Sequence, residues 1–160
     1  MSGQYNLSGL KKGKYEDTFN GYLSAKYPVM FLPILFDEER LITEFERLPT
    51  KLKKMVWFAA THVNSEWNVP LVLTHIFRTK NEQNEFYSGD KKYQENPWSS
   101  PHQDYRAVDI RLTDMGIKAA KELAEIINDL FPYDEDRTRN AALVHDVGLG
   151  AHIHFQVKRD

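Results

Sequence analysis

The chain has 160 residues, of which 41% are hydrophobic and 28% are charged, as expected for one globular domain with a substantial core. The formal net charge of -2 gives no reason to expect nucleic acid or an anionic membrane as a partner. The absence of cysteine excludes disulfides, thiolate metal ligands and a cysteine nucleophile.

The first residues are predicted to form an N-terminal arm over 1–36, ahead of a single domain over 37–160. Met1 to Leu10 lack the charged and then apolar layout of a signal peptide. The apolar run from Pro28 to Phe36 is shorter than the roughly 20 residues that span a bilayer. We therefore expect a chain that is cytoplasmic as synthesised.

Two helices and a strand are predicted next. Asp37 is a good helix-capping residue, and apolar side chains follow it at helical spacing until Pro49 ends the pattern. Thr50 can cap a second helix with an apolar side. Pro70 to Arg78 is nearly all apolar or β-branched, which is typical of a strand covered on both faces. Residues 79–100 are mostly polar and predict a long, functional loop.

The second half of the chain predicts a strand over Ala107 to Leu112 and then an amphipathic helix capped by Thr113. The apolar stripe of that helix would contain Ile117, Ala120, Leu123, Ile127 and Leu130. Residues 142–147 and 151–157 read as two strands joined by a glycine-containing turn. This order predicts an α+β fold with a small, mostly antiparallel sheet and helices packed on one side.

Histidines and one aspartate form the chemically distinctive part of the sequence. His102 and Asp109 are seven residues apart, and Asp109 lies between apolar residues on a predicted strand. His152 and His154 alternate with apolar residues, so both imidazoles point to one face of their strand. Buried imidazoles and carboxylates need hydrogen-bond partners or a metal. His102, Asp109 and one of the two C-terminal histidines would leave one metal position open for water, as catalytic zinc sites do.

Two motifs in this half of the chain resemble those of a group of zinc peptidases: Ser100-x-His102-x4-Ala107-x-Asp109 and His152-x-His154. The group includes D-alanyl-D-alanine carboxypeptidases and dipeptidases, phage endolysin peptidases, the hedgehog signalling domain and lysostaphin-type enzymes. The resemblance covers about residues 70–157. It includes Thr74 to Thr79, which is similar to the strand and turn that carry the family's catalytic arginine.

The resemblance implies a role for six residues. Zinc would be bound by His102, Asp109 and His154, while His152 would act as catalytic base or transition-state stabiliser. Arg78, together with His145 on the strand before the one that carries His152, would stabilise the oxyanion or hold a substrate carboxylate. His145 has a second interpretation as an ordinary strand histidine, and His75 is interpreted as a core histidine.

The sequence departs from the family pattern at two positions. Tyr105 occupies the position where the family prefers glycine, so the loop between the first two ligands is expected to differ. Ala151 occupies the position where many carboxypeptidases have a glutamate, so His152 would have to serve as the base.

The function that the resemblance implies is hydrolysis of peptide bonds in peptidoglycan stem or cross-bridge peptides. A zinc-bound water would be the nucleophile, and His152 would take its proton and return it to the leaving amine. The partner would be a peptidoglycan-derived peptide. A chain without a signal peptide then fits a phage-encoded enzyme that reaches the cell wall after release.

Two other classes of function remain open. One is a non-catalytic zinc-binding domain of the same fold that acts as a binding module. The other is a metal-free structural protein whose histidines belong to the core.

Overall fold

The computed structural model describes residues 29–31, 38–146 and 150–160. The strands are β1 (Val29–Phe31), β2 (Leu71–His75), β3 (Ala107–Arg111), β4 (Ala142–Asp146) and β5 (Ala151–Gln156). The helices are α1 (Glu38–Glu46), α2 (Thr50–Trp67), α3 (Lys80–Phe86), α4 (Lys91–Glu95) and α5 (Gly116–Leu130), with a 3-10 helix at Pro101–Asp104. The arm predicted for residues 1–36 lies outside the described residues except at β1, and so do the cap predicted at Asp37 and most of the β4–β5 turn.

The described strands form one sheet in the order β1-β2-β3-β5-β4. β1 runs parallel to β2, and all the other neighbouring strands are antiparallel. The register pairs Asp109 with His154 across β3 and β5, and His145 with His152 across β4 and β5. The predicted α+β fold with a mostly antiparallel sheet is therefore confirmed.

The two faces of the sheet differ because successive strand residues point in opposite directions. Val108 and Ile110 of β3, like Ile153 and Phe155 of β5, are completely buried in a core shared with α1, α2 and α5. Burying each such side chain contributes roughly 1.5–3 kcal/mol. The residues between them therefore face the other way, and this second face carries Asp109 and the histidines.

The helices differ from the prediction in two places. α5 begins at Gly116 and not after a cap at Thr113. Gly116 has φ +81°, a left-handed conformation through which a right-handed helix cannot continue. The predicted stripe is wrong at its ends, since Ile117 and Leu130 are exposed.

The stretch at 79–100 is not a structureless loop, because it contains α3 and α4. Thr79 and Glu82 form a reciprocal capping box at the start of α3. The Asp90 carboxylate accepts hydrogen bonds from the first turn of α4. Among the described residues, no helix has both the length and the apolar character to cross a membrane.

Tyr105 ends the 3-10 helix in the left-handed conformation, with φ 57° and ψ 29°. This conformation costs little for glycine, which explains why glycine suits this position in the peptidases that the sequence resembles. The tyrosine ring stacks on Phe77 with centroids 4.3 Å apart, and its hydroxyl accepts a hydrogen bond from Arg47 at 2.8 Å. These contacts offset the backbone strain and fasten the loop to the end of β2.

Two substitutions at Tyr105 separate the cost of the left-handed backbone from the stabilisation by the ring contacts. Tyr105→Gly and Tyr105→Ala both remove the ring contacts, but only alanine keeps a Cβ in the left-handed region. We expect the glycine variant to be more stable than the alanine variant by about 1 kcal/mol. Urea unfolding of the two proteins measures the difference. Equal stabilities, or a more stable alanine variant, would mean that the left-handed backbone carries no cost here.

Candidate metal centre

Asp109 is the central residue of a cluster that contains five of the six histidines of the chain. The Asp109 residue is buried, with 8% of its surface exposed. Its Oδ1 atom lies 2.9 Å from Nδ1 of His154, 3.3 Å from Nε2 of His102 and 3.5 Å from Nε2 of His152. Three imidazole nitrogens therefore converge on a single carboxylate oxygen.

The 3-10 helix brings His102 to Asp109. The Ser100 hydroxyl caps this helix by accepting a hydrogen bond from the His102 backbone N–H at 3.3 Å. The His102 carbonyl then accepts the Arg78 N–H at 3.2 Å, and the His102 Nδ1–H donates to the Ile76 carbonyl at 2.7 Å. These bonds join the helix to the segment after β2 and fix the direction of the imidazole.

The hydrogen bonds of two histidines assign their tautomers. The proton of His102 is on Nδ1, facing the Ile76 carbonyl, and that of His152 is on Nδ1, 3.2 Å from the Gly150 carbonyl. Each Nε2 atom therefore presents a lone pair toward Oδ1 of Asp109. Several acceptors that face one another repel unless a cation lies between them, and a metal ion satisfies all of them at once.

The ionisation of Asp109 fits a cation site. Burial by itself raises the pKa of this carboxyl group, but the polar contacts of the carboxylate with His102, His154 and His75 outweigh that effect. The net result is a pKa well below the ordinary value. Asp109 is therefore an anion at neutral pH, which is the form that binds a metal.

His145 completes the wall of the cluster on β4. Its ring lies 4.6 Å from that of His152 and 5.2 Å from that of His154, measured between centroids. Burial and then the two neighbouring histidines lower the pKa of His145 to about 4. Its buried Nε2 atom has no hydrogen-bond partner among the described residues. A neutral imidazole with an unused nitrogen is suited to bind a metal or to accept a proton.

Two overlapping groups in the cluster could hold a metal ion. Asp109 belongs to both. The first group adds His145, His152 and His154 to it, and the second adds His75 and His102. The donors are imidazoles and one carboxylate, a set that suits zinc and other first-row transition metals.

The cluster lies in a cleft of about 200 Å³. On one side the cleft is bordered by Tyr87 and Trp98, and the Trp98 side chain is 42% exposed. Leu143 and Gln156 also line it, with Ser99 and Ser100 near the capped 3-10 helix. The cleft therefore combines an aromatic wall with the polar face of the sheet that could hold a metal ion.

Arg78 is buried at the edge of the same cleft, with 4% of its surface exposed. Its guanidinium donates to Oε1 of Gln83 at 2.8 Å and to Nδ1 of His75 at 3.2 Å, and it lies 4.2 Å from the centroid of the Phe86 ring. Within the described part of the chain these direct partners are all uncharged. The positive charge of Arg78 thus stays available to an anionic group in the cleft.

A charged network fixes the backbone just before Arg78. The Phe77 N–H donates to the Glu44 carboxylate at 3.2 Å, and Glu44 also accepts from Arg40 at 2.6 Å. Arg40 in turn forms two hydrogen bonds with Glu82 of α3, at 2.7 and 3.0 Å. α1 and α3 are therefore both connected to the segment that positions the arginine.

The structure places all six residues proposed from the sequence around this cleft: His102, Asp109, Arg78, His145, His152 and His154. His75, interpreted from the sequence as a core histidine, is buried and does not line the cleft, but like Gln83 it forms a hydrogen bond with Arg78. β2 ends at His75 and does not continue to Arg78, and its register with β3 is irregular between Leu73 and His75. This irregularity brings His75 opposite Asp109, and strand alternation alone does not predict it.

Comparison with protein-family models, curated proteins and solved structures finds no match to this chain. The resemblance to zinc peptidases therefore depends on the two motifs and remains a hypothesis.

Removing either of two central side chains should abolish metal binding. Asp109→Asn replaces the anion with a neutral amide of the same shape, and His154→Ala removes a convergent nitrogen. We expect each to weaken metal affinity by more than the roughly 10–100-fold that outer-sphere substitutions cost. Elemental analysis after dialysis against limiting zinc measures this, with His62→Ala on α2 as a matched control. Unchanged metal content in Asp109→Asn would rule out the site.

Proposed function

We propose that this protein is a zinc-dependent peptidase that hydrolyses peptide bonds in peptidoglycan stem or cross-bridge peptides. One observation carries the proposal. Nitrogens of His102 and His154 meet Oδ1 of Asp109 in a cleft that also contains a histidine with an unused lone pair and a buried arginine. The motifs that resemble zinc peptidases lie in the same residues.

Zinc is the metal that this donor set favours for hydrolysis. His102, Asp109 and His154 give three nitrogen and oxygen ligands, and the chain has no thiolate to offer a softer metal. Three protein ligands leave one position open, as in catalytic sites. Zinc bound there would supply a Lewis acid and would lower the pKa of a coordinated water to about 7.

His152 is the residue best placed to move the proton. Its Nδ1–H is held by the Gly150 carbonyl, so that Nε2 is a proton acceptor directed at the cluster. In the proposed reaction Nε2 takes a proton from the attacking water and returns it to the leaving amine nitrogen. The Gly150 contact keeps the ring in one orientation through both transfers.

Arg78 supplies fixed positive charge. Negative charge develops on the carbonyl oxygen of the scissile bond as the tetrahedral intermediate forms, and a preorganised cation stabilises it. Arg78 is suited to this role because it is buried and its direct partners are neutral. In a water-poor site such a charge acts more strongly than it would at the surface.

The cleft fits a peptide segment. Its volume of about 200 Å³ is below the roughly 300–1,000 Å³ of typical ligand pockets, so it would take only the residues next to the scissile bond, with Trp98 as an aromatic surface beside polar side chains. The identity of the peptide as a peptidoglycan stem or cross-bridge is taken from the resemblance.

One observation favours a second candidate, a non-catalytic zinc-binding module. The group formed by Asp109, His145, His152 and His154 offers four ligand atoms, which is the number of a closed structural zinc site. A metal held by all four would leave no open position, and His152 could not act as a base.

His152→Ala distinguishes the two candidates. The peptidase proposal predicts that the variant keeps stoichiometric zinc and loses about 10²–10⁴-fold in hydrolysis of a D-alanine-containing peptidoglycan peptide. The closed-site candidate predicts that the variant loses zinc. Zinc analysis and amine release from the peptide, with His62→Ala as control, measure both properties. Full activity in a zinc-loaded His152→Ala protein would contradict the assignment of the base.

A further inference from the structure

His75 lies at the end of β2, where the irregular register turns it toward the metal cluster. It is 7% exposed, and its ring stacks on the ring of His102 with centroids 4.6 Å apart and planes inclined by 9°. With His102 and Asp109 it forms one of the two groups that could hold a metal ion, and its Nδ1 atom lies 3.6 Å from Oδ2 of Asp109.

The hydrogen bonds of His75 indicate which nitrogen carries its proton. Nε2 lies 3.2 Å from the Phe77 carbonyl, which can only accept, so the proton is on Nε2. Nδ1 is then a lone pair, and Nη2 of Arg78 donates to it at 3.2 Å. The 3.6 Å separation from Asp109 is longer than a normal hydrogen bond.

We propose that His75 is a positioning residue whose Nδ1 atom accepts from Nη2 of Arg78 and so holds the guanidinium of Arg78 in the cleft. The inference rests on the proposed function insofar as Arg78 acts on the substrate. Gln83 accepts a hydrogen bond from Nη1 of the guanidinium, and His75 accepts one from Nη2. These two contacts fix both the position and the plane of the guanidinium. Gln83 is itself held, since its amide donates to the Trp98 carbonyl at 3.5 Å.

A neutral holder has an electrostatic advantage over a carboxylate. An aspartate or glutamate in the place of His75 would fix Arg78 equally well, but it would cancel the charge that the oxyanion needs. An imidazole acceptor orients the guanidinium without placing a carboxylate in direct contact with it. Rigid support of this kind is what keeps a catalytic group in productive geometry.

The same geometry argues against His75 as a ligand of a second metal. Its Nδ1 lone pair already accepts a hydrogen bond from Arg78. Two divalent ions would share Asp109 as the carboxylate of both ligand groups, next to a buried guanidinium. That concentration of positive charge is unfavourable in a buried site.

Two substitutions separate the roles of the two ring nitrogens. In His75→Asn, the amide oxygen can take the place of Nδ1 and accept from Arg78. In His75→Gln, the amide N–H can take the place of Nε2 and donate to the Phe77 carbonyl, and the longer side chain then places no acceptor at the position of Nδ1. His62→Gln serves as the control, because His62 stacks between aromatic rings on α2.

We expect zinc content to be unchanged in both His75 variants. Turnover of the D-alanine-containing peptide should fall about 10²–10³-fold in His75→Gln, as in Arg78→Ala, which is the loss typical of one oxyanion donor. The loss should appear in kcat and not in KM. His75→Asn should stay within about threefold of the unmodified protein.

Nitrogen-15 NMR gives a readout that does not depend on activity. The Nη signals of Arg78 should show restricted rotation in the unmodified protein and in His75→Asn, and freer rotation in His75→Gln. If this pattern appears in a protein that hydrolyses no peptide, the positioning inference stands and the proposed function fails. Arg78 signals that are the same in all three proteins, zinc loss in either variant, or a His75 proton on Nδ1 in the unmodified protein would overturn the inference.

Discussion

A buried carboxylate that faces several nitrogen lone pairs is the constraint on which the rest of this structure depends. Asp109 is an anion at neutral pH. His102 and His152 donate their Nδ1 protons to backbone carbonyls, so the Nε2 atom of each points at Oδ1 of Asp109. Such an arrangement is stable when protons or a metal ion occupy the space between the acceptors. The backbone contacts of the histidines are therefore as much a part of the candidate site as the side chains that could bind a metal.

The convergence of Asp109 and the histidines follows from the alternation of side chains between the two faces of the sheet. On β3 and β5 the residues between core side chains necessarily face the other side, and the antiparallel register sets Asp109 directly opposite His154. A one-residue slip would bury the imidazoles in the core and expose Phe155, so the apolar face that stabilises the domain also fixes the direction of the candidate ligands. Stability and chemistry are carried by the two faces of the same strands.

Much of the site could be predicted from the sequence because it depends on local rules. The His-x-His alternation and the aspartate between apolar neighbours identify one face of two strands, and the structure brings those residues together. His75 was not predictable in this way, since its position follows from an irregular register in β2. The start of α5 was missed because the positive φ of Gly116 depends on the turn that precedes it. The neutral surroundings of Arg78 also come from tertiary contacts, with α3 supplying Gln83 and Phe86.

The central claim is that one zinc ion is bound by three protein side chains with a position left open. A crystal structure of the zinc-loaded protein, with the metal located by its anomalous scattering, tests this most directly. The account predicts a single peak about 2.0–2.2 Å from Nε2 of His102, Oδ1 of Asp109 and Nδ1 of His154, with Nε2 of His152 outside bonding distance. A peak bound by both His145 and His152, or no peak in the cluster, would contradict it.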